Sequence, residues 1–478
     1  MGKYFKDKRF KYGSYSAVIT IITIAVLILI NLIVGRFEKS FDITKNEFVT
    51  LSEDSLKILS SLEEDVIIHT TFSNSEKDVV KDRVEQILDQ YMQHSGKIKR
   101  ENTDLYLHPD FAEKYSTQQK SVKINSIVVE MGDRYRVINY EDYYTAGYDY
   151  DSYTEAYQLS VESEITGAIQ VLSKGSQSKI YFLQGHNEAD PVYYTSVVKQ
   201  LTLSGFEVEG LTLLNNEIPD DCSILFLTTC DEDYAPEEAE KIRTYLAQGG
   251  AAVCILGGID VEKSKNILSI IQAYGLSLEN NYIIEGNENN YLSRATALLP
   301  VIKDTEVTSG LIARGYNVLA YVAQPVVETD LKKKDVSTEA VLTTSKDAFT
   351  KQGTNKSQNK EPGDKSGPFD IGVTVTAQNS SKEGDKTKLF VSGASMYLLD
   401  ANMDANVSYG NSAFITAVAN WLKGEEESIY IPSKNLESTE TLFMTSGDIQ
   451  RVKILALGII PGVIFIIGVV VWLIRRYK

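Results

Sequence analysis

A chain of 478 residues with 65 acidic against 48 basic side chains carries a net charge of −17, a field that repels nucleic acid and anionic lipid headgroups and so excludes both as partners of its bulk. Three cysteines, Cys222, Cys230 and Cys254, form no C-x-x-C and leave an odd total, which argues against a disulfide framework and a structural zinc site. No Walker A, kinase, dinucleotide-binding or H-E-x-x-H pattern occurs, so the chain powers nothing by itself.

Residues 1–16 form a basic tail with Lys3, Lys6, Lys8, Arg9 and Lys11. From Ala17 to Val34 only Thr20, Thr23 and Asn31 are polar, an uncharged run long enough to cross a bilayer core, and it predicts a transmembrane helix over 17–35. INLIVGRFEKS offers no small-residue cleavage site, so an uncleaved anchor is expected rather than a signal peptide. Residues 454–474 form a second uncharged run, with Trp472 near its end and Arg475, Arg476 and Lys478 in the tail 475–478. Both tails are therefore expected in the cytoplasm and the middle outside, although Arg36, Lys39, Arg451 and Lys453 flank the runs on the outer side. Setting aside eight basic tail residues and Asp7 leaves 40 basic against 64 acidic residues between the runs, a net −24. In the second run Gly458 and Gly462 make G-x-x-x-G beside Pro461, a face on which another helix can pack.

The outer segment, about 420 residues, is too long for one ordinary core, so two α/β domains are expected, 36–175 and 176–424. In the first, Thr50 and Glu53 have capping-box spacing ahead of a helix to about Leu62, then come a strand Val66–Phe72 and a helix from about Glu76 to His94. Strand-like KIKRENTDLYL, a short helix Asp110–Tyr115, a hairpin around Gly132 and Asp133 and a helix Val161–Leu172 follow. This order resembles a thioredoxin-like sandwich, without the redox motif. Between hairpin and helix, Tyr143, Tyr144, Tyr148, Tyr150, Tyr153 and Tyr157 crowd a polar stretch, where aromatics can stack on sugars, anchor a partner, or merely pack a loop.

The second domain opens with KIYFLQGHNEAD, an apolar strand running into a turn, then a helix Val192–Ser204. SILFLTT, a helix Pro236–Ala247, GGAAVCIL and KLFVSG continue an alternation that predicts a mostly parallel sheet covered on both faces. Residues 343–369 turn polar and are expected to form a mobile surface loop, and 425–453 a membrane-proximal stalk or strand.

Ligands of open α/β sheets bind beyond the carboxyl ends of strands, which makes Gly185, His186, Asn187 and Glu188 the ligand-binding candidates, set against a plain structural turn. No second histidine stands nearby to complete a metal set, so no metal, cofactor or catalytic residue is expected. Ser395 and Cys254 lie outside any nucleophile elbow. Asp231, Glu232, Asp233, Glu237 and Glu238 crowd a strand-to-helix junction, where carboxylates suit the helix amino end.

Several stretches in order resemble the auxiliary-component family of ABC-type transport systems, the family of the gliding-motility protein GldG: FDITKNEFVTLSEDSLKIL, SVESEITGAIQVLSKG, YFLQGHNEAD, DDCSILFLTTCDEDYAPEEAEKIRTYLAQGGAAVCIL, and VSGASMYLLD followed by GNSAFITAVANWLKG. The resemblance implies a non-enzymatic subunit beside a separate ATPase and permease, with a second domain similar to glutamine amidotransferases but lacking their G-x-C-x-G elbow. A V-G-D-S-like turn of the family appears as Val391–Ser395 with Ala394 where Asp is common, which puts a polar role there in doubt. Two functional classes follow: a transport-complex component on a bacterial cell membrane, or a stand-alone surface protein that binds or hydrolyses envelope polysaccharide. Two anchors favour the first, since tethering alone needs one.

Overall fold

The computed structural model describes residues 49–73, 79–117, 120–149, 154–174, 177–188, 194–291, 294–329, 335–352, 357–378, 386–394, 410–424, 431, 434–436, 468, 472 and 476. The chain divides into two compact units, Met1–Thr50 and Leu51–Lys478, and the described helices and strands all belong to the second. Both apolar runs fall outside the described residues, apart from Gly468 and Trp472, which are helical. The G-x-x-x-G pair Gly458 and Gly462 lies outside them too. Among the described residues no helix is long and apolar enough to cross a membrane.

Helix α1 (Glu53–Ser60) starts at Ser52, whose hydroxyl accepts from Ser55 N at 3.2 Å. The capping box expected from Thr50 and Glu53 does not form. Instead the Ser52 amide donates to Glu162 Oε1 at 2.6 Å, so the reciprocal carboxylate arrives from a distant helix rather than from the same turn. Strands β1 (Val66–Thr70), β2 (Ile98–Asn102), β3 (Ile127–Met131) and β4 (Arg134–Ile138) form a sheet of order β2-β1-β3-β4. β1 and β2 are parallel, and β3 runs antiparallel to both β1 and β4. The β3–β4 turn is Gly132–Asp133, with Gly132 at φ +59°, a conformation that glycine adopts without penalty.

Helix α2 (Val79–His94) buries Val84, Ile87, Leu88 and Tyr91 along one stripe, as its spacing predicts. After α3 (Pro109–Tyr115) and the short α4 (Tyr140–Tyr143), strands β5 (Tyr144–Asp149) and β6 (Thr154–Leu159) form a hairpin. The next helix, α5 (Val161–Lys174), is buried from Val161 through Ile169, including Glu162, Ser163 and Glu164. It is the element on which the layers meet.

The larger sheet contains β7 (Ser178–Leu183), β8 (Phe206–Leu211), β9 (Cys222–Thr228) and β10 (Ala251–Ile255). Short strands β11 (Leu276–Leu278), β12 (Asn281–Ile284), β13 (Ala297–Leu298), β14 (Val301–Ile302), β15 (Ala320–Tyr321) and β16 (Val326–Glu328) precede β17 (Val336–Thr343), β18 (Phe349–Gln352), β19 (Asp370–Gln378) and β20 (Lys386–Ser392). Eight of these line up as β14-β17-β19-β20-β10-β9-β7-β8. The stretch β20-β10-β9-β7-β8 is parallel, and β19, β17 and β14 add antiparallel strands at one edge.

Alternation sends Ile180, Phe182, Phe226 and Val253 to one face and Tyr181, Leu183, Leu227 and Cys254 to the other. The first face packs against α6 (Thr195–Leu203) and α9 (Asn411–Lys423), the second against α7 (Pro236–Ala247) and α8 (Lys265–Gln272). Both faces are therefore covered, and the near-continuous apolar strands follow from that.

One segment differs from the sequence expectation. The described residues of 343–369 are not a loose loop: Ala348 and Phe349 are buried, β18 pairs with β12, and the buried Lys351 ammonium lies 3.0 Å from Glu361 and 2.6 Å from Asp364. Two carboxylates of the same segment thus neutralise its buried lysine. In the stretch read as a membrane-proximal stalk or strand, β21 (Lys434–Leu436) adds a third strand to the hairpin by pairing with β6.

The expected boundary near residue 175 falls between α5 and β7, where the two sheets are clamped together. Lys199 of α6 reaches Glu164 at 3.0 Å, and Arg314 reaches Asp54 at 2.6 Å. Gly167 lets α5 close onto Leu203, because a Cβ there would sit 2.9 Å from Leu203 Cδ2 and 3.0 Å from its carbonyl oxygen. Gly167→Val is expected to destabilise the protein by about 1–3 kcal/mol through overpacking, read as a lower urea midpoint. An unchanged midpoint would show that the joint is loose.

Candidate functional site

β7 pairs with β8 on one side and β9 on the other, both in parallel. The crossover after β7 thus runs to one side and the next returns to the other, so the crevice between the carboxyl ends of β7 and β9 is a topological switch point, where sheets of this kind place ligands. Gly185–Glu188 follows β7 there, and Thr229–Tyr234 follows β9. The turn after β7 needs unusual backbone, with Gly185 at φ +124° and Asn187 at +58°.

All four candidate residues come together, and they are stitched to the β9 side. The His186 carbonyl accepts from the amides of Asp231 (3.1 Å) and Glu232 (3.2 Å), and Asn187 Nδ2 donates to Glu232 Oε1 at 3.3 Å. His186 Nε2 lies 2.9 Å from Glu238 Oε2 and its Nδ1 3.7 Å from Glu188 Oε1. The side chains of Glu188 and Glu238 are only 4% and 3% exposed. The second Glu188 oxygen accepts from the His186 amide at 2.7 Å, and Tyr234 packs edge-on to the imidazole with centroids 4.5 Å apart. Burial, followed by the Glu188 charge, pushes the Tyr234 hydroxyl well above its ordinary range. The imidazole is held between two buried carboxylates.

Within the acidic cluster, Asp233 accepts from the amides of Asn266 (2.8 Å) and Ile267 (3.0 Å) at the start of α8, and Glu238 accepts from Ala235 N at 2.9 Å at the start of α7. These two carboxylates satisfy orphan donors at helix amino ends. Asp231, Glu232 and Glu237 are exposed.

The other carboxyl end, of β10 and β20, is closed. Gln324 accepts from Gly258 N at 2.9 Å, donates to Ile259 O at 3.0 Å, and its own amide donates to Gly393 O at 2.8 Å. At Gly393 a Cβ would fall 2.0 Å from the Gln324 carbonyl oxygen, so only glycine fits. Ala394 is buried, with its amide on Ser392 Oγ at 3.1 Å; Ser395 lies outside the described residues. Neither thiol near these strand ends is a ready nucleophile, since burial pushes Cys230 and Cys254 each up to about 12. Among the described residues no group of three metal-ligating side chains converges.

The tyrosine stretch is partly core. Tyr143 is 1% exposed with its hydroxyl on Asn125 O at 2.8 Å, so its ring does not face solvent. Tyr144 is half-buried and packs against Tyr140 with the rings tilted by 45° and centroids 5.1 Å apart. Tyr148 and Tyr157 lie in β5 and β6, and Tyr150 and Tyr153 fall outside the described residues.

Sequence reasoning missed the pairing of His186 with Glu238, residues on different elements joined only by the fold. It also missed a buried cluster in the small sheet, where His69 Nε2 and the Tyr115 hydroxyl each lie 2.7 Å from Glu130 Oε2. Although burial acts to raise it, bonds from Tyr115 and His69 and the Lys114 ammonium hold the Glu130 carboxyl below its ordinary value. The only sequence signal was a histidine and a glutamate on adjacent strands.

The family described as an ABC-type uncharacterized transport system matches residues 177–417, and a domain of unknown function, DUF7088, matches residues 45–144. No curated protein matches the chain. Among solved structures, the mmIFT52 N-terminal domain is similar at 19% identity, over 53% of this chain and 100% of that chain, with a TM-score of 0.40.

Two outcomes test the site. His186→Ala removes one of the two partners of the buried Glu238 Oε2 and is expected to cost about 1–3 kcal/mol in denaturant unfolding, whereas Asn187→Ala at the exposed bridge costs under about 0.5 kcal/mol. Burial also holds Cys222 up to about 11, so at pH 8 all three thiols of the folded protein should react with a chromogenic disulfide reagent at least about tenfold more slowly than in urea.

Proposed function

The chain belongs to the family of ABC-type transport system auxiliary components, and from that premise we propose that it is a non-enzymatic subunit of the GldG kind, working with a separate ATPase and permease. Two transmembrane helices, 17–35 and 454–474, anchor it with both tails in the cytoplasm and the acidic segment outside. The small sheet is thioredoxin-like: the order β2-β1-β3-β4 with one antiparallel strand supports that reading. The larger sheet is similar to glutamine amidotransferases in its parallel core, without their nucleophile.

One observation carries the non-enzymatic part. At the switch point, where an enzyme of this architecture positions a nucleophile and base, the imidazole Nε2 is taken by Glu238 at 2.9 Å, and the nearby Cys230 thiol is buried and pushed up to about 12. That arrangement supports a bracing or recognition role over nucleophilic catalysis.

Tagged full-length protein extracted from its native membrane in mild detergent is expected to bring an ABC ATPase and a multi-span permease at near-stoichiometric yield, identified by mass spectrometry. Recovery of the protein alone across several detergents would remove the transport reading.

A further inference from the structure

At one end of the small sheet β1 and β2 finish, at Thr70 and Asn102, β3 starts at Ile127 and β4 finishes at Ile138. Hydrogen bonds join that end to both flanks of the described chain. The Tyr143 hydroxyl donates to Asn125 O at 2.8 Å and the Ser160 amide donates to Tyr143 O at 2.7 Å, which sets the start of α5 here. Near the other end of α5, the Leu172 carbonyl accepts from Arg134, at the far end of the sheet. Ser52 is bonded to Glu162 on the first turn of α5, and Lys434 pairs with Leu159 at the base of the β5–β6 hairpin. The stretches that lead to the two apolar runs, 36–48 and 437–453, therefore leave from elements rooted at this end, whereas the Gly132–Asp133 turn lies at the other.

The same end carries an apolar tip. After β2, the Thr103 amide donates to Thr70 O at 2.8 Å and the chain turns at Asp104, whose carbonyl accepts from Leu107 N (3.1 Å) and His108 N (2.9 Å). Asp104 Oδ1 accepts from Tyr106 N at 2.8 Å. Leu105 packs inward against the cluster of Tyr115, Val122, Val128 and Val137. Tyr106 and Leu107 stand out, 81% and 73% exposed, the most exposed large hydrophobic side chains among the described residues. Ile124, also exposed, lies beside Asn125, whose amide donates to Thr71 O at 3.0 Å. A turn bonded in this way presents its apolar pair with little ordering left to lose on contact. The acidic bulk of the chain disfavours anionic headgroups, so the lipid surface suited to the tip is a zwitterionic one, at whose headgroup level tyrosine and leucine are stable.

We propose that Tyr106 and Leu107 enter the headgroup layer of the bilayer on which the chain is anchored, a further membrane contact beside the two apolar runs. The proposal rests on the two-anchor reading, because the rooting of both flanks at this end is what favours a lipid surface over a protein partner.

The test uses full-length protein with an environment-sensitive fluorophore on Leu107→Cys, reconstituted in phosphatidylcholine vesicles brominated near the top of the acyl chains. The native thiols react slowly because burial raises them, so the introduced cysteine takes the label. Emission is expected to fall at least about twofold against unbrominated vesicles, while the same label on Asp133→Cys, at the far end of the sheet, should not change. Tyr106→Asp, a surface substitution, should leave the urea midpoint in place and abolish the quenching at 107. Flotation of the vesicles after an alkaline carbonate wash reads the anchors separately. Protein that floats without quenching at 107 overturns the contact and leaves the anchoring standing, whereas protein that fails to float overturns both. Equal quenching at 107 and 133, or quenching that survives Tyr106→Asp, would overturn the contact as well.

Discussion

Helix α5 has no solvent face along its first nine residues, yet it carries Glu162, Ser163, Glu164 and Thr166 there, and the rest of the molecule is arranged to satisfy those groups. Polar atoms buried without partners cost on the order of 1–3 kcal/mol each. Glu162 Oε1 takes the Ser52 amide and the Ser55 hydroxyl (2.7 Å), and Thr166 bonds the hydroxyls of Ser55 and Tyr91. Glu164 takes Lys199 from the large-sheet side, and burial still raises its carboxyl above the ordinary value. α1, α2 and α6 are thereby fixed to one rod. Gly167 then removes the one side chain that would hold α6 away.

That constraint explains what the strand ends can do. A sheet locked on both faces leaves function to its rims. On the carboxyl rim, Gln324 closes the β10–β20 end through three hydrogen bonds, and His186 stitches the β7–β9 end to two carboxylates. The first closure depends on glycine at 393. The second depends on a buried polar contact, His186 Nε2 against Glu238 Oε2 at 2.9 Å, with the Glu188 carboxylate accepting from the His186 amide. A turn so braced presents Asn187 and Gly185 outward as a fixed shape. Fixed shape is what a docking or recognition surface requires, since ordering has been completed before any partner arrives.

Much of the fold was legible because periodicity and burial agree. Helix α2 has the predicted stripe, α7 spans the predicted residues, and the near-continuous apolar runs of β7, β9 and β10 belong to a sheet covered on both sides. The GHNE turn was legible from position alone, as a polar tetrapeptide at a strand end. Composition misled at 343–369, where Lys, Glu and Asp look solvated until Lys351 meets Glu361 and Asp364 inside the fold. The tyrosine stretch misled in the opposite sense, since polar spacing concealed a hairpin and a core residue, Tyr143. The cap of α1 and the partner of His186 were beyond reach. Each joins residues about 50 or 110 positions apart, and no local pattern encodes such a pair.

The same helix also gathers the two ends of the described chain. Just after the first apolar run, the backbone of Ser52 is bonded to Glu162 on the second residue of α5. Ahead of the second apolar run, Lys434, Asn435 and Leu436 pair with Leu159, Gln158 and Tyr157 of β6, and β6 ends two residues before α5 begins. Displacement of either flank therefore reaches α5 through a single hydrogen-bonded step, and from α5 it reaches the large sheet through Lys199 and the Gly167–Leu203 contact. This geometry couples both flanks of the described segment to α5 and, through it, to the large sheet. A hinge placed between the sheets would absorb that movement, and the buried charges of α5 oppose such a hinge, because opening the joint would strand Glu164 without Lys199 in a site that solvent does not reach.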